Sequence, residues 1–225
     1  KYFSFLTMNT NVINNYLTLE QDIKKYEIGV KKSNVIAVSK TFDMDKIMPL
    51  VKHGHIHFGE NKVQEASVKW TETKKNYPDI KIHMIGKLQT NKVKKAFKIF
   101  DYIHSLDSAK LADTIKTNEV NFNKKLKYFI QINSGQEMQK AGINFSELDH
   151  FYTYCKNDLD LDVIGLMAIP PNDGQEDKYF KYLYEAGISL GLNEFSMGMS
   201  SDYKKALKFN ATFLRIGSLI FGQRG

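Results

Sequence analysis

Two side chains in this sequence stand where their kind is costly to place. Lys40 closes the run Val35-Ile36-Ala37-Val38-Ser39-Lys40, whose β-branched and small residues read as a short buried strand. Alternation puts its amine on the face of Ile36 and Val38. A lysine so placed must snorkel, pair or react. Desolvation disfavours the ammonium form and frees a nucleophilic amine that can condense with an aldehyde or ketone. Ordinary solvation is the plainer alternative, because lysine supplies all but two of the 32 basic residues. Arg215, one of those two arginines, lies between Leu214 and Ile216 in an apolar strand. Its guanidinium is planar, permanently charged and only donates. It is either a fixed donor to a ligand or half of a buried ion pair.

Around these two lie groups suited to an anion. Ser200, Ser201 and Asp202 precede a helix, and Gly217-Ser218 follow Arg215. Hydroxyls and free N–H groups at such places bind phosphate, or simply cap the helix. Gly59, Gly86, Gly198 and Gly217 recur near strand ends, where glycine either admits a flat ligand or marks a bend. His53, His55 and His57 alternate on one strand face, which raises a metal-dependent hydrolase as a competing reading. Only His83 and Asp107 offer further ligands at other strand ends, and strand alternation alone explains the spacing.

An alternation of strands and helices must position these residues. Strands are predicted at 35–41, 55–61, 81–86, 102–107, 127–133, 163–169, 194–199 and 213–221. Helical stripes separate them, such as Met44, Ile47, Met48 and Val51 after an Asp43 cap, and Leu111, Ala112 and Ile115 after Ser108. Val63, Ala66 and Trp70 mark another, as do Val93, Ala96, Phe97 and Phe100; Leu148, Phe151, Tyr152 and Cys155; Tyr179, Leu183, Ala186 and Leu190; and Tyr203, Ala206 and Leu207. A further helix, Asn11 to Ile28, precedes the first strand, with Val12, Tyr16, Leu19, Ile23 and Tyr26 on one face. The order specifies a single (β/α)8 barrel over residues 1–225, with an extra N-terminal helix standing in for the missing last one. An open doubly wound sheet would need a glycine-rich turn where Lys40-Thr41-Phe42 stands. In such barrels the site lies at the C-terminal ends of the strands, with phosphate often after strands seven and eight. The polar stretch Ser134 to Asn144, with Gly135 and Gly142, is expected to be a mobile loop over the mouth.

Composition narrows the field further. The chain has 225 residues and is 42% hydrophobic and 25% charged, as in globular proteins. No apolar run reaches the roughly 18 residues of a membrane span. Its net charge of +7 rests on scattered lysines, which read as a solvated surface rather than a nucleic-acid face. The lone cysteine, Cys155, suits a reducing, cytoplasmic compartment. Met8 reads as the native start, with residues 1–7 an added leader.

The stretches AVSKT around Lys40, FGEN at Phe58 to Asn61, IHMIGKLQTNK at Ile82 to Lys92, GLM at Gly165 to Met167, SMGMSSD at Ser196 to Asp202 and RIGSLIFG at Arg215 to Gly222 follow in order along the chain. In these the chain resembles the pyridoxal-phosphate homeostasis proteins, which share the barrel of the alanine-racemase N-terminal domain. The resemblance implies pyridoxal 5′-phosphate held as a Schiff base on Lys40. It implies phosphate contacts from Ser200, Ser201, Gly217 and Ser218, with Arg215 against the pyridine nitrogen. Asn61, His83 and Met84 would line the pocket. Two departures are local: His55 and His57 before FGEN, and Met84 where a bulkier aromatic is common. The implied role is buffering or delivery of the cofactor, with apo-enzymes as recipients and a monomeric carrier. The alternative is an amino-acid racemase. The resembling racemases take a second catalytic tyrosine from a β-rich domain for which a chain ending at Gly225 leaves no room, so negligible racemisation is expected.

Overall fold

The computed structural model describes residues 2–27, 32–135 and 141–223, with side chains from Asn11 onward. Eight parallel strands close on themselves in chain order, β1 (Asn34–Val38), β2 (His57–Glu60), β3 (Lys81–Met84), β4 (Tyr102–Leu106), β5 (Lys127–Ile132), β6 (Val163–Ala168), β7 (Glu194–Met199) and β8 (Phe213–Ile216). The β1–β8 seam pairs Ile36 with Arg215 and Ala37 with Ile216. The expected (β/α)8 barrel is therefore the observed one.

Helices coat the outside: α1 (Tyr2–Tyr26), α2 (Met44–Lys52), α3 (Val63–Asn76), α4 (Val93–Ala96), α5 (Ala109–Phe122), α6 (Leu148–Thr153), α7 (Glu176–Ser189), α8 (Tyr203–Leu207) and α9 (Ser218–Phe221). The 25-residue α1 buries Val12, Tyr16, Leu19 and Ile23 and packs against α2, α8 and α9, so it fills the eighth helical place. Asn15 Nδ2 donates to the Ile220 carbonyl at 3.1 Å, and Ser33 Oγ to the Ala211 carbonyl at 2.7 Å, tying the start of the chain to its end. Among the described residues no helix is long and apolar enough to cross a membrane.

Several local expectations are corrected. Tyr26 leaves the α1 stripe and is exposed, with Lys204 over its ring at 4.8 Å. On α7, Phe180 and Gly187 join Leu183 on the buried face in place of Tyr179, with Ala186 and Leu190 half-buried against the core; a larger residue than Gly187 would strike the Phe195 ring. The eighth strand stops at Ile216, where Gly217 turns the chain into α9. Asp43 and Ser108 stand at helix N-caps without a side-chain capping bond. Of the expected loop, residues 136–140 lie outside the described residues; its ends are bonded, Asn133 N to Ile143 O and Ile143 N to Gln131 O, both at 2.9 Å.

Alternation sorts the strand side chains into two populations. Ala37, Phe58, Met84, Ile103 and Ile130 point outward into the helix layer, where Trp70 is wholly buried against Phe58 with ring centroids 4.7 Å apart. Ile36, Phe129, Met167 and Phe213 point into the lumen. They share it with His83, His104, Ser196 and Arg215, all buried. A barrel interior of this size is a packed core rather than a pore, so these polar groups must bond one another.

Candidate active site at the barrel mouth

The first strand ends at Val38, short of the expected Thr41, and Lys40 follows in the turn beyond it while still reaching the mouth. Ile36 is in the lumen, and Val38 and Lys40 line a cavity of about 480 Å³ at the C-terminal ends of the strands. Lys40 sits in a strained turn: the next residue, Thr41, has φ 68°, a conformation that costs a β-branched residue about 1–3 kcal/mol. Neighbours from α3 hold that turn. Glu65 Oε1 accepts the Thr41 N–H at 2.5 Å. Lys69 Nζ donates to the Ser39 carbonyl at 2.8 Å and lies 3.4 Å from the Phe42 carbonyl, so one amine spans the turn.

Lys69 is in turn fixed by two carboxylates, Glu60 and Glu65, each at 2.8 Å. Glu60 is wholly buried beneath the turn and its Oε1 also accepts from Ser39 Oγ at 2.7 Å and Trp70 Nε1 at 3.0 Å. Desolvation raises its carboxyl above the usual range despite the opposing pull of Lys69, Trp70 and Ser39. Its second oxygen has no hydrogen-bond partner among the described residues.

Across the β1–β8 seam from Lys40, the last two strands supply the adjoining wall. Ser200, Ser201, Arg215, Gly217 and Ser218 line the same cavity, as does Asn61 after β2. A side chain built on Gly217 would meet nothing nearer than Val38 at 3.5 Å, so this glycine leaves the mouth open. Helices α8 and α9 are each about one turn long, so an anion here would rely on hydroxyls and local N–H groups rather than a helix dipole. Asp202 is occupied elsewhere, since its Oδ1 accepts the Met199 N–H at 2.5 Å, and burial raises its carboxyl.

Arg215 is 4% exposed, and among the described residues it forms no buried ion pair. Its Nη1 donates to the Ser196 carbonyl at 2.6 Å and to Ser196 Oγ at 2.7 Å, and Nη2 donates to the Ala168 carbonyl at 2.8 Å. Burial lowers it to about 10, still charged at neutral pH.

Two of the residues named from the sequence go elsewhere. Met84 points outward into the helix layer, and the next residue, Ile85, lines the cavity in its place. His83 points inward but one layer below, bonded to two other histidines. Three of the four strand-end glycines serve the protein's own packing: Gly59 abuts Ile36, Gly86 the Asn61 backbone, and Gly198, at φ 92°, the side chain of Ala206. Phe42, Ile85, Ile169 and Met199 line the cavity without having been singled out. Parity could have found Ile85, since only alternate residues of a strand face inward. The three histidines do not alternate on one strand, because His53 ends α2 and only His57 lies in β2; His55 bonds Tyr16 OH at 3.1 Å and the His57 carbonyl at 2.8 Å, one through each ring nitrogen. Among the described residues no group of three or more His, Cys, Asp or Glu is placed to hold a metal.

The barrel recurs among known proteins. Residues 13–225 match the family described as alanine racemase, N-terminal domain. A pyridoxal phosphate homeostasis protein of Pasteurella multocida is 36% identical over 215 residues, 91% of each chain. The structure of PipY from Synechococcus elongatus with PLP bound superposes with a TM-score of 0.82 at 30% identity, covering 94% of this chain and all of that one. An alanine racemase of Clostridium difficile shares the fold at 14% identity and a TM-score of 0.72, covering 97% of this chain but 57% of the racemase. With the match running from residue 13 to the last residue, and such relatives alike along nearly their whole length, the protein belongs to the alanine racemase N-terminal domain family, in its pyridoxal phosphate homeostasis branch.

Proposed function

We propose that this protein holds pyridoxal 5′-phosphate in the mouth cavity and serves its intracellular supply rather than a reaction of its own. The observation that carries the reading is one cavity bringing together an amine from the turn after β1, a donor-only guanidinium from β8 and the hydroxyls of Ser200, Ser201 and Ser218. The donor set fits the group. An amine suits its aldehyde, a cationic donor its ring nitrogen, and hydroxyls with an uncrowded Gly217 its phosphate. A cavity of about 480 Å³ is of the size that takes a single-ring phosphate ester. Bound there, the cofactor would supply an electron sink.

In this reading Lys40 is the covalent anchor, Ser200, Ser201, Gly217 and Ser218 hold the phosphate, and Arg215 and Asn61 orient the ring. The whole chain acts as one cytoplasmic domain, monomeric, passing its cargo to apo-enzymes. The name of the Pasteurella relative and the bound PLP in PipY support the cargo.

The test is an absorption spectrum of the loaded protein before and after borohydride, followed by peptide mass mapping. A visible band that reduction traps on Lys40 is expected. Lys40→Ala should lose the covalent adduct while retaining part of the phosphate affinity. An adduct mapped to any other lysine would overturn the assignment.

A further inference from the structure

A line of hydrogen bonds runs beneath the cavity from Arg215 to the opposite end of the barrel. Arg215 Nη1 lies 2.7 Å from Ser196 Oγ, and Ser196 Oγ lies 2.8 Å from His104 Nδ1. His104 Nε2 lies 2.9 Å from His83 Nδ1, and His83 Nε2 lies 2.9 Å from His57 Nδ1. The line crosses the lumen from β8 and β7 to β4, then steps through β3 to β2. It ends at half-buried His57, in the wall of a second cavity of about 420 Å³ at the N-terminal ends of the strands.

Only one direction of donation satisfies this line. A guanidinium donates and never accepts, so Ser196 Oγ receives from Arg215. The serine proton must then go to His104 Nδ1, the other group bonded to that oxygen, because a wholly buried hydroxyl left without an acceptor is costly. An imidazole accepting at Nδ1 carries its proton on Nε2 when neutral, and each histidine passes the same requirement to the next. Neutrality is favoured by burial, which holds His83 and His104 well below the ordinary imidazole value and His57 at about 4.

We infer that Ser196, His104, His83 and His57 form a one-way chain of donors that compensates the buried charge of Arg215, with His104 and Ser196 as its positioning residues. Every proton in the line points away from the guanidinium, so the negative ends of the aligned dipoles face it. Among the described residues no carboxylate pairs with Arg215, and Asp202, the acidic group that acts on it, spends its Oδ1 on a main-chain N–H. A buried charge needs such compensation. The chain also fixes the plane in which the remaining guanidinium donors meet the mouth cavity. The polarity stands independently of any ligand; its use in orienting a cofactor ring rests on the binding proposed above.

The experiment is long-range proton–nitrogen NMR on ring-labelled histidines at pH 7, in protein with and without pyridoxal phosphate. Assignment uses His57→Gln, His83→Gln and His104→Gln one at a time. All three rings are expected to carry the proton on Nε2 with an accepting Nδ1. Any one of them protonated on Nδ1 would overturn the chain. Ser196→Ala should raise the dissociation constant for pyridoxal phosphate about tenfold and shift the visible band, with Ser196→Thr restoring both. A Ser196→Ala protein with unchanged affinity and spectrum would overturn the positioning role. A protein that shows the three Nε2 protons but takes up no cofactor supports the chain and refutes the cofactor reading instead.

Discussion

At the scale of single residues, the proposed role of Arg215 would decide what a bound ring can do. A guanidinium fixed by two carbonyls and a hydroxyl presents only donors to the cavity, so it suits an unprotonated ring nitrogen. An unprotonated ring withdraws electrons poorly, which favours storage over turnover. Arg215→Glu replaces the donor with an acceptor and should favour a protonated ring, alter the visible spectrum and weaken binding tenfold or more, as about 1.5–3 kcal/mol per charged hydrogen bond implies. Nitrogen NMR of labelled cofactor reports this directly, and a pyridinium in the unmutated protein would contradict the account. The same logic makes rapid conversion of L-alanine to D-alanine an unexpected result; incubation in deuterated water with chiral analysis is the check.

At the scale of elements, the turn between β1 and α2 depends on α3. Lys69 holds the carbonyl of Ser39 and lies close to that of Phe42, and Glu60 and Glu65 hold Lys69. Removing one partner of a buried pair typically costs about 3–5 kcal/mol, so Lys69→Met should lower stability by roughly that much. It should also slow covalent capture at Lys40, because Thr41 would no longer be held at its unfavourable φ. Urea melts and stopped-flow absorbance separate the two effects. A variant that is less stable but captures cofactor at the normal rate would show that the clamp supports the fold alone. The sequence made much of this scale legible. The inward parity of Ile36, Val38 and Lys40 follows from a period of two, and the eight strands followed from their punctuation. Parity also held the answer at β3, where the resemblance named Met84 and alternation puts Ile85 in the cavity. What stayed hidden was non-local. Nothing in the local pattern says that Glu60, an outward residue, lies under the Lys40 turn, or that His104 and Ser196, 92 positions apart, share a hydrogen bond. The early end of β8 at Ile216, where Gly217 turns the chain into α9, was equally hidden from the local pattern.

At the scale of the whole molecule, histidines inside the barrel link stability to pH. Burial depresses His55 and His57 to about 4 and takes His83 and His104 well below the ordinary 6.5. Between pH 6.5 and about 4 the unfolded chain binds protons at these positions that the folded one refuses. Their contribution is therefore full above pH 6.5 and is lost on acidification. Buried Glu60 and Asp202, with raised carboxyls, act in the opposite sense. A comparison with His55→Gln cancels them: that variant should show a pH slope of stability shallower by up to about 1.4 kcal/mol per pH unit in that window. Urea titrations at several pH values measure it, and parallel slopes would refute the buried, neutral assignment. The seam between β1 and β8 carries a further consequence, one of timing. Lys40 follows the first strand of the barrel and Arg215 lies in the last, and α1 packs against α9. Neither half of the mouth is a site by itself, so the capacity to capture cargo arises only when the ring shuts. Capture of a ligand by such a mouth doubles as a report that the last strand has found the first.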